Sequence, residues 1–279
     1  MVLKSYAKIN LNLIVNKKLA NGLHNLQSVY CLVNKFDLIS IKKNKNSKKD
    51  KILIDGTHSK NISRSNNSVS KILKLMRKYK LVSGYYSIKI IKKIPVYAGL
   101  AGGTSNAATI LKFLLKKKLS KKILDKFIDY IGSDLRLFSY NQGYLKNLKT
   151  VVKLRRKYKL FFILAHPMIK CSTRKIFSKV KKHSKKENFS QKNFNSLNKF
   201  INYLAKSKND LQSIVEKSHP IVKNLLLNIS DTDGCYFSRI TGSGSSCFGL
   251  FINEHCAKVA VKKLRKKHPK FLFSIAKTI

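Results

Sequence analysis

One stretch constrains the fold more than any other: Pro95-Val96-Tyr97-Ala98-Gly99-Leu100-Ala101-Gly102-Gly103-Thr104-Ser105-Asn106-Ala107-Ala108. Ahead of it, Tyr86 to Ile91 is β-branched and aromatic, the composition of a strand. Behind it, Ala107, Ala108, Leu111, Leu114 and Leu115 recur at helical spacing, with no Gly or Pro through Lys118. A glycine loop therefore feeds a helix, and Thr104 and Ser105 stand where N-caps stand. Glycine removes the Cβ that would hold a phosphate off the backbone. Free N–H groups and the helix dipole then favour an anion.

No lysine follows Gly103, so the loop is not G-x-x-x-x-G-K-[ST], and it is not G-x-G-x-x-G either. A glycine cluster before a helix is by itself more often a plain turn than a phosphate site. The whole string, P-x-x-x-G-L-x-G-G-[ST]-S-N-A-A, resembles the phosphate loop of the GHMP small-molecule kinases. Within them it is most similar to the 4-diphosphocytidyl-2-C-methylerythritol kinases. That resemblance implies that Pro95, Gly99, Leu100, Ala101, Gly102, Gly103, Thr104 and Ser105 hold ATP.

Seven further segments carry the same resemblance, in the family's order. Residues 8–15 alternate, with Ile9, Leu11, Leu13 and Val15 on one side and Lys8, Asn10 and Asn12 on the other, which reads as a half-buried strand with a polar face. Its string Ala7-Lys8-Ile9-Asn10-Leu11 resembles the family's A-K-[IL]-N-L opening, which implies that Lys8 and Asn10 lie in the active site. Gly22 and His24 match D-G-[YF]-H-x-[LI], although Leu23 replaces the aromatic; the resemblance makes His24 a hydrogen-bonding partner of cytosine. Asn66-Asn67-Ser68-Val69 resembles the D-N-L-V segment that begins a helix near the nucleotide, with Asn67 as an ATP residue and Ser68 in place of Leu.

Asp134 is read first from its own surroundings. It follows Gly132-Ser133 at the end of an amphipathic helix, Ile123 to Ile131, and leads into Leu135-Arg136-Leu137-Phe138. A buried carboxylate there needs a partner charge or a task. The segment resembles G-[AS]-D-V-P-F-F, whose Asp is the catalytic base, with Leu135, Arg136 and Leu137 departing from the pattern. Ser172-Thr173-Arg174-Lys175-Ile176-Phe177 resembles P-T-[PK]-x-[VI]-[FY], which implies that Thr173 binds substrate and that Phe177 stacks on cytosine; an ordinary core aromatic is the competing reading of Phe177. Asn209-Asp210-Leu211 is a further match. Thr241-Gly242-Ser243-Gly244-Ser245-Ser246 resembles the family's second glycine loop, with Gly242 and Ser243 beside the phosphates.

The implied fold is α+β with two domains, a twisted-sheet amino-terminal domain over 1–156 and a ferredoxin-like carboxy-terminal domain over 157–279. The rest of the sequence is compatible with it. Strands are expected at 29–33, 37–41, 51–55, 151–154, 160–165, 234–240, 247–251 and 271–276. Residues 42–50 read as a solvated loop and 181–191 as a polar, mobile stretch. Helices are expected over 194–204, 211–229 and 256–266, with Pro220 kinking or splitting the second. The implied reaction moves the γ-phosphoryl of ATP, with Mg2+ on its β and γ phosphates, to the 2-hydroxyl of a cytidine diphosphate derivative. Asp134 would be the base and Lys8 its charge partner.

Charge is the one feature that pulls elsewhere. There are 59 Lys+Arg against 12 Asp+Glu, a net charge of +47, which alone suggests a polyanion partner. Most of the cations are lysines, spread through the chain with short runs at 42–51, 116–122 and 179–186, and no RNA-recognition signature accompanies them. Compositional drift accounts for such a pattern, and no specific nucleic-acid partner is expected. The alternatives that remain are another GHMP kinase, acting on homoserine, mevalonate or a sugar, and a basic RNA-associated protein. Five widely spaced cysteines without C-x-x-C fit reduced thiols in a cytoplasmic protein, and no Cys/His spacing suggests a protein-held metal. No apolar run reaches the ~20 residues of a membrane span, and a strand beginning near Met1 leaves no room for a leader. Oligomeric state is not legible.

Overall fold

A computed structural model describes residues 1–44, 47–60, 62–115 and 119–279. The middle of the expected 42–50 loop and the expected end of the 107–118 helix, with the start of its lysine run, lie outside them. In chain order the strands are β1 Val2–Asn10, β2 Ile14–Lys18, β3 His24–Asn44, β4 Lys51–Asp55, β5 Tyr85–Ile91, β6 Gln142–Asn147, β7 Thr150–Lys153, β8 Phe161–His166, β9 Cys235–Ile240, β10 Cys247–Phe251 and β11 Leu272–Lys277. The helices are α1 Ser68–Lys78, α2 Gly102–Leu114, α3 Lys121–Ile131, α4 Thr173–Ser178, α5 Leu197–Lys206, α6 Gln212–Ser218, α7 Pro220–Ser230 and α8 Glu254–Lys267. A Ser or Asn oxygen accepts a first-turn N–H at the start of α1, α3, α4, α5 and α8, which satisfies donors the helix cannot.

The chain forms two compact units that are interleaved in sequence rather than divided at one point near 156. The first holds Met1–Lys8, Lys35–Val96 and Ala101–Ser139; the second holds Ile9–Asn34, Tyr97–Leu100 and Tyr140–Ile279. Strands β1 and β3 are long enough to contribute to both.

In the first unit, β5 pairs antiparallel with the later part of β3 and parallel with β4. Below the start of α2 lies a buried polar network. Lys92 pairs with Asp37 and donates to Asn106 Oδ1 at 3.2 Å; Asn106 Nδ2 donates to Asp37 at 3.0 Å and to Ser5 Oγ at 2.9 Å. Asp37 also accepts the N–H groups of Lys93 and Ile94, at 2.7 and 2.9 Å. Strands β1 and β3, the end of β5 and helix α2 are thereby joined through side chains that water does not reach.

In the second unit, β8, β9, β10 and β11 form an antiparallel sheet in the order β11-β8-β10-β9. With α6 and α7 between β8 and β9, and α8 between β10 and β11, this is the ferredoxin-like pattern. Ile163, Ala165, Leu225, Ile229, Val261 and Leu264 belong to its core. The early part of β3 pairs with β2 and β6, and β7 follows on β6.

Several local expectations change. Residues 8–15 are not one strand: β1 ends at Asn10 and β2 starts at Ile14. Nor is their polar side solvated, since Lys8, Asn10 and Asn12 are 2%, 3% and 1% exposed. Asn12 tolerates this because Val29 N–H donates to its Oδ1 at 2.6 Å and its Nδ2 donates to Tyr203 at 3.2 Å. The two strands expected over 29–41 are one, with no Gly or Pro at 34–36 to interrupt the extended chain. Helix α5 starts at Leu197, behind its cap Ser196, rather than at Phe194. Pro220 does split the long helix, standing as the first residue of α7.

Asp37 and Lys92 are 0% and 2% exposed, and burial pushes the Lys92 ammonium below the usual lysine range while Asp37 opposes that shift. Asp37→Ala removes the counter-charge and strands the cation. A loss of about 3–5 kcal/mol in unfolding free energy is expected, measured by urea denaturation; a change under about 1 kcal/mol would show that the network is not what holds α2 in place.

Candidate active site

Lys8 closes the first unit's share of β1, and Asp134 sits in the 3-10 turn Ser133–Ser139. Gly132, at φ 134, turns the chain out of α3 with a backbone angle that side-chain-bearing residues rarely adopt. Lys8 Nζ then lies 3.1 Å from Asp134 Oδ2. The burial is the reverse of the expectation: the lysine side chain is 2% exposed and the aspartate 38%. An ammonium so enclosed costs several kcal/mol unless a carboxylate answers it. The expected proline is absent, and the turn is held instead by buried Leu135, Leu137 and Phe138 and by an ion pair from Arg136 to Asp125 of α3. A carboxylate open to solvent beside a fixed cation can accept an alcohol proton while the cation meets the charge left on oxygen.

The phosphate loop differs in detail from the sequence reading. Helix α2 begins at Gly102, its N-cap is Ala101 at φ 54, and no side chain caps it, so Thr104 and Ser105 lie inside the first turn. The first helical hydrogen bond runs from Ser105 N–H to Ala101 O at 2.8 Å, which leaves the N–H groups of Gly102, Gly103 and Thr104 ahead of it. A Cβ on Gly102 would stand 3.0 Å from Ile94 Cγ2 and 3.2 Å from Lys92 Nζ; on Gly103 it would meet only the Ser68 side chain, with Oγ at 3.2 Å. Leu100 is buried, and Pro95 has no N–H. The Ser105 hydroxyl donates to the Tyr6 carbonyl at 2.6 Å and accepts from Ser5 at 2.8 Å, so it is turned away from any ligand. Asn67 is likewise occupied: its Oδ1 accepts from Val69 and Ser70, and its Nδ2 donates to the carbonyls of Ser63 and Arg64.

The second unit gathers the residues assigned to substrate into one connected set. Asn10 N–H donates to Thr241 Oγ1 at 3.0 Å, and Asn10 Nδ2 donates to Ser28 at 2.8 Å. Gly99, at φ +73, approaches Thr241 so closely that a Cβ would lie 2.1 Å from its carbonyl oxygen. On Gly242, at φ +58, a Cβ would lie 3.4 Å from Asn10 Oδ1. The next residue, Ser243, shares a 2.9 Å hydrogen bond with Thr173, which opens α4. One turn along α4, the Phe177 ring is 5.2 Å from His24, tilted by 32°. His24 starts β3 opposite Lys18, and His183 stacks near it at 5.8 Å. Burial first, then the nearby His183 and Lys18, push the His24 imidazole below the usual histidine value.

Sequence reasoning missed His183 and the Lys92 network, and it noted Asn209 only within a family match, without a role. Asn209 Nδ2 donates to the carbonyls of Ile240 and Gly242, at 3.0 and 2.9 Å, and so shapes the second glycine loop. Its neighbour Asp210 accepts the Val15 N–H at 2.7 Å. The Asn-Asp-Leu string was the available signal for this role. His183 gave none, since it sits in a polar run without periodicity.

Profiles of known families match both parts of the chain: GHMP kinases N terminal domain at residues 67–134 and GHMP kinases C terminal at 186–270. The 4-diphosphocytidyl-2-C-methyl-D-erythritol kinase of Pelagibacter ubique (strain HTCC1062) is 35% identical over 273 residues, spanning 95% of this chain and 94% of its own. That of Ehrlichia canis (strain Jake) is 31% identical over 291 residues, spanning 100% and 99%. Among solved structures, a 4-(cytidine 5'-diphospho)-2C-methyl-D-erythritol kinase shares the fold with a TM-score of 0.74 at 19% identity over 99% of each chain. A homoserine kinase from Cytophaga hutchinsonii does so with a TM-score of 0.64 at 18% identity, over 99% of this chain and 95% of its own.

The lowered His24 value has a definite sign. The unfolded chain takes up the His24 proton near the ordinary 6.5 and the folded protein only at lower pH. Stability contributed by neutral His24 is therefore complete above that value and lost as pH falls through the folded one. Ring NMR resonances of His24 are expected to titrate below 6.5; a midpoint above it would contradict the buried geometry.

Proposed function

Because the chain belongs to the 4-diphosphocytidyl-2-C-methyl-D-erythritol kinase family of the GHMP kinases, we propose that it transfers the γ-phosphoryl group of ATP to the 2-hydroxyl of 4-diphosphocytidyl-2-C-methyl-D-erythritol, a step toward isoprenoid precursors. The observation that carries the mechanism is the Lys8–Asp134 pair at 3.1 Å. Phosphoryl transfer needs alignment and charge neutralisation more than covalent help. Asp134 takes the proton of the attacking hydroxyl, and Lys8 stabilises the oxygen as it becomes an alkoxide. The N–H groups of Gly102, Gly103 and Thr104 cradle the phosphates, reached through the turn at Gly99 to Ala101. Ser105 and Asn67 act on the backbone rather than on the phosphates: the Ser105 hydroxyl is donated to the Tyr6 carbonyl, and Asn67 caps α1.

Magnesium is expected to enter on the triphosphate, with most ligands from phosphate and water. With the Ser105 hydroxyl donated to Tyr6, the Thr104 hydroxyl would be the loop's contribution to holding the ion. Bound there, the ion would supply charge neutralisation at the phosphates. His24 reads the edge of cytosine, Phe177 stacks on its face, and Asn10, Thr173, Gly242 and Ser243 position the diphosphate and the alcohol. No helix among the described residues is long and apolar enough to cross a membrane.

Two variants separate chemistry from binding. Asp134→Asn keeps the shape and removes the proton acceptor, so turnover should fall about 10²-fold or more with nucleotide binding retained; near-normal turnover would remove Asp134 from the mechanism. Gly103→Ala meets only the movable Ser68 side chain. It should leave folding intact and weaken ADP binding about tenfold without changing CDP binding, as calorimetry would register. Equal loss of both ligands would make the loop merely structural.

A further inference from the structure

His24 makes ring contacts with two other aromatic side chains. Phe177 lies 5.2 Å away at 32°, and His183 lies 5.8 Å away at 28°. The three rings come from different places: His24 from the start of β3, Phe177 from α4, and His183 from a stretch with neither helix nor strand. His24 is buried, whereas His183 is exposed, so the row ends in a ring that faces solvent. Leu23, next to His24 in sequence, is aliphatic and 50% exposed, and it offers no π-surface.

The polar stretch 181–191, expected to be mobile, makes specific contacts with its surroundings. Immediately after His183, Ser184 N–H donates to the Val15 carbonyl at 2.9 Å and Ser184 Oγ donates to Asp210 at 3.0 Å. Gln27 brackets Glu187 from both sides, accepting its N–H at 2.8 Å and donating to its carbonyl at 2.9 Å. Phe189 stacks on Tyr144 at 4.0 Å. A segment without regular structure is therefore fastened at successive points to β2, β3, β6 and the Asn-Asp-Leu turn. Fixing Ser184 at both its backbone and its side chain also fixes where the neighbouring ring can go.

We propose that His183 is a nucleobase-recognition residue: its ring supplies a second aromatic surface beside His24, complementing Phe177 and standing in for the π-surface that position 23 lacks. The inference rests on the proposed cytidine site. A flat ring serves any base, because every base has a π-face, so His183 contributes affinity rather than the choice of cytosine. That choice falls to His24, whose ring edge can pair with one pyrimidine edge and leave the wrong one unsatisfied.

The test measures binding of CDP, UDP and ADP to the full chain and to His183→Ala, His183→Phe, His24→Ala and Phe177→Ala. His183→Ala is expected to weaken CDP and UDP alike, by about tenfold, with ADP unchanged, and His183→Phe to restore both pyrimidines. If His183→Ala binds CDP like the parent while His24→Ala or Phe177→Ala does not, the cytidine site stands and the role of His183 is overturned. Failure of His183→Phe to rescue, or equal weakening of ADP, also overturns it. If none of the variants alters CDP binding, the cytidine site itself is misplaced and the inference falls with it.

Discussion

A buried ammonium ion must be answered by a carboxylate, and the first compact unit does this at Lys8 and again at Lys92. In a chain with 59 basic and 12 acidic residues, carboxylates are the scarce resource. Spending them on enclosed lysines is therefore informative. Lys92 and Asp37 form a closed pair whose remaining valences go to Asn106 and to the backbone after β5. That pair joins the sheet to α2 and so determines where Gly102 and Gly103 present their N–H groups. Lys8 and Asp134 are open on one side: the cation is sealed and the carboxylate reaches solvent. The same physical demand thus gives a structural joint in one place and a solvent-facing carboxylate beside a sealed cation in the other.

The second unit depends on a different constraint, the close approach of two glycine loops. Gly99 passes the Thr241 carbonyl at a distance no side chain permits, and Asn209 holds the backbone of the second loop from beneath. Asn10, Ser243 and Thr173 then form a line of hydrogen-bonding groups that leads along α4 to Phe177 and His24. Asp210 belongs to the same construction, tying β2 and the 184 region to the turn before α6.

Much of this was legible in residue order, and the exceptions share a cause. The glycine loop between strand and helix, the helix that opens after Asn67, the split at Pro220 and the carboxy-terminal strands are local features, and local chemistry announces them. What the sequence does not display is how far a polar side chain lies from water. Lys8, Asn10 and Asn12 alternate with apolar residues as a solvated face would, yet each is enclosed, because partners distant in the chain satisfy them. Ser105 looks like a phosphate ligand until Tyr6 and Ser5 are seen to claim its hydroxyl. His183 lies in a lysine-rich run whose composition suggests disorder, and only its anchors to Val15 and Asp210 reveal that it is placed.

The large positive charge does not alter the assignment to a kinase family, since the identities extend over the whole chain. The most direct measurement of the central claim is transfer of labelled γ-phosphate from ATP to a panel of alcohols: 4-diphosphocytidyl-2-C-methyl-D-erythritol, homoserine and mevalonate. The account predicts label on the cytidine derivative alone, and loss of that label when CDP competes. Label on homoserine or mevalonate, or transfer indifferent to CDP, would contradict it.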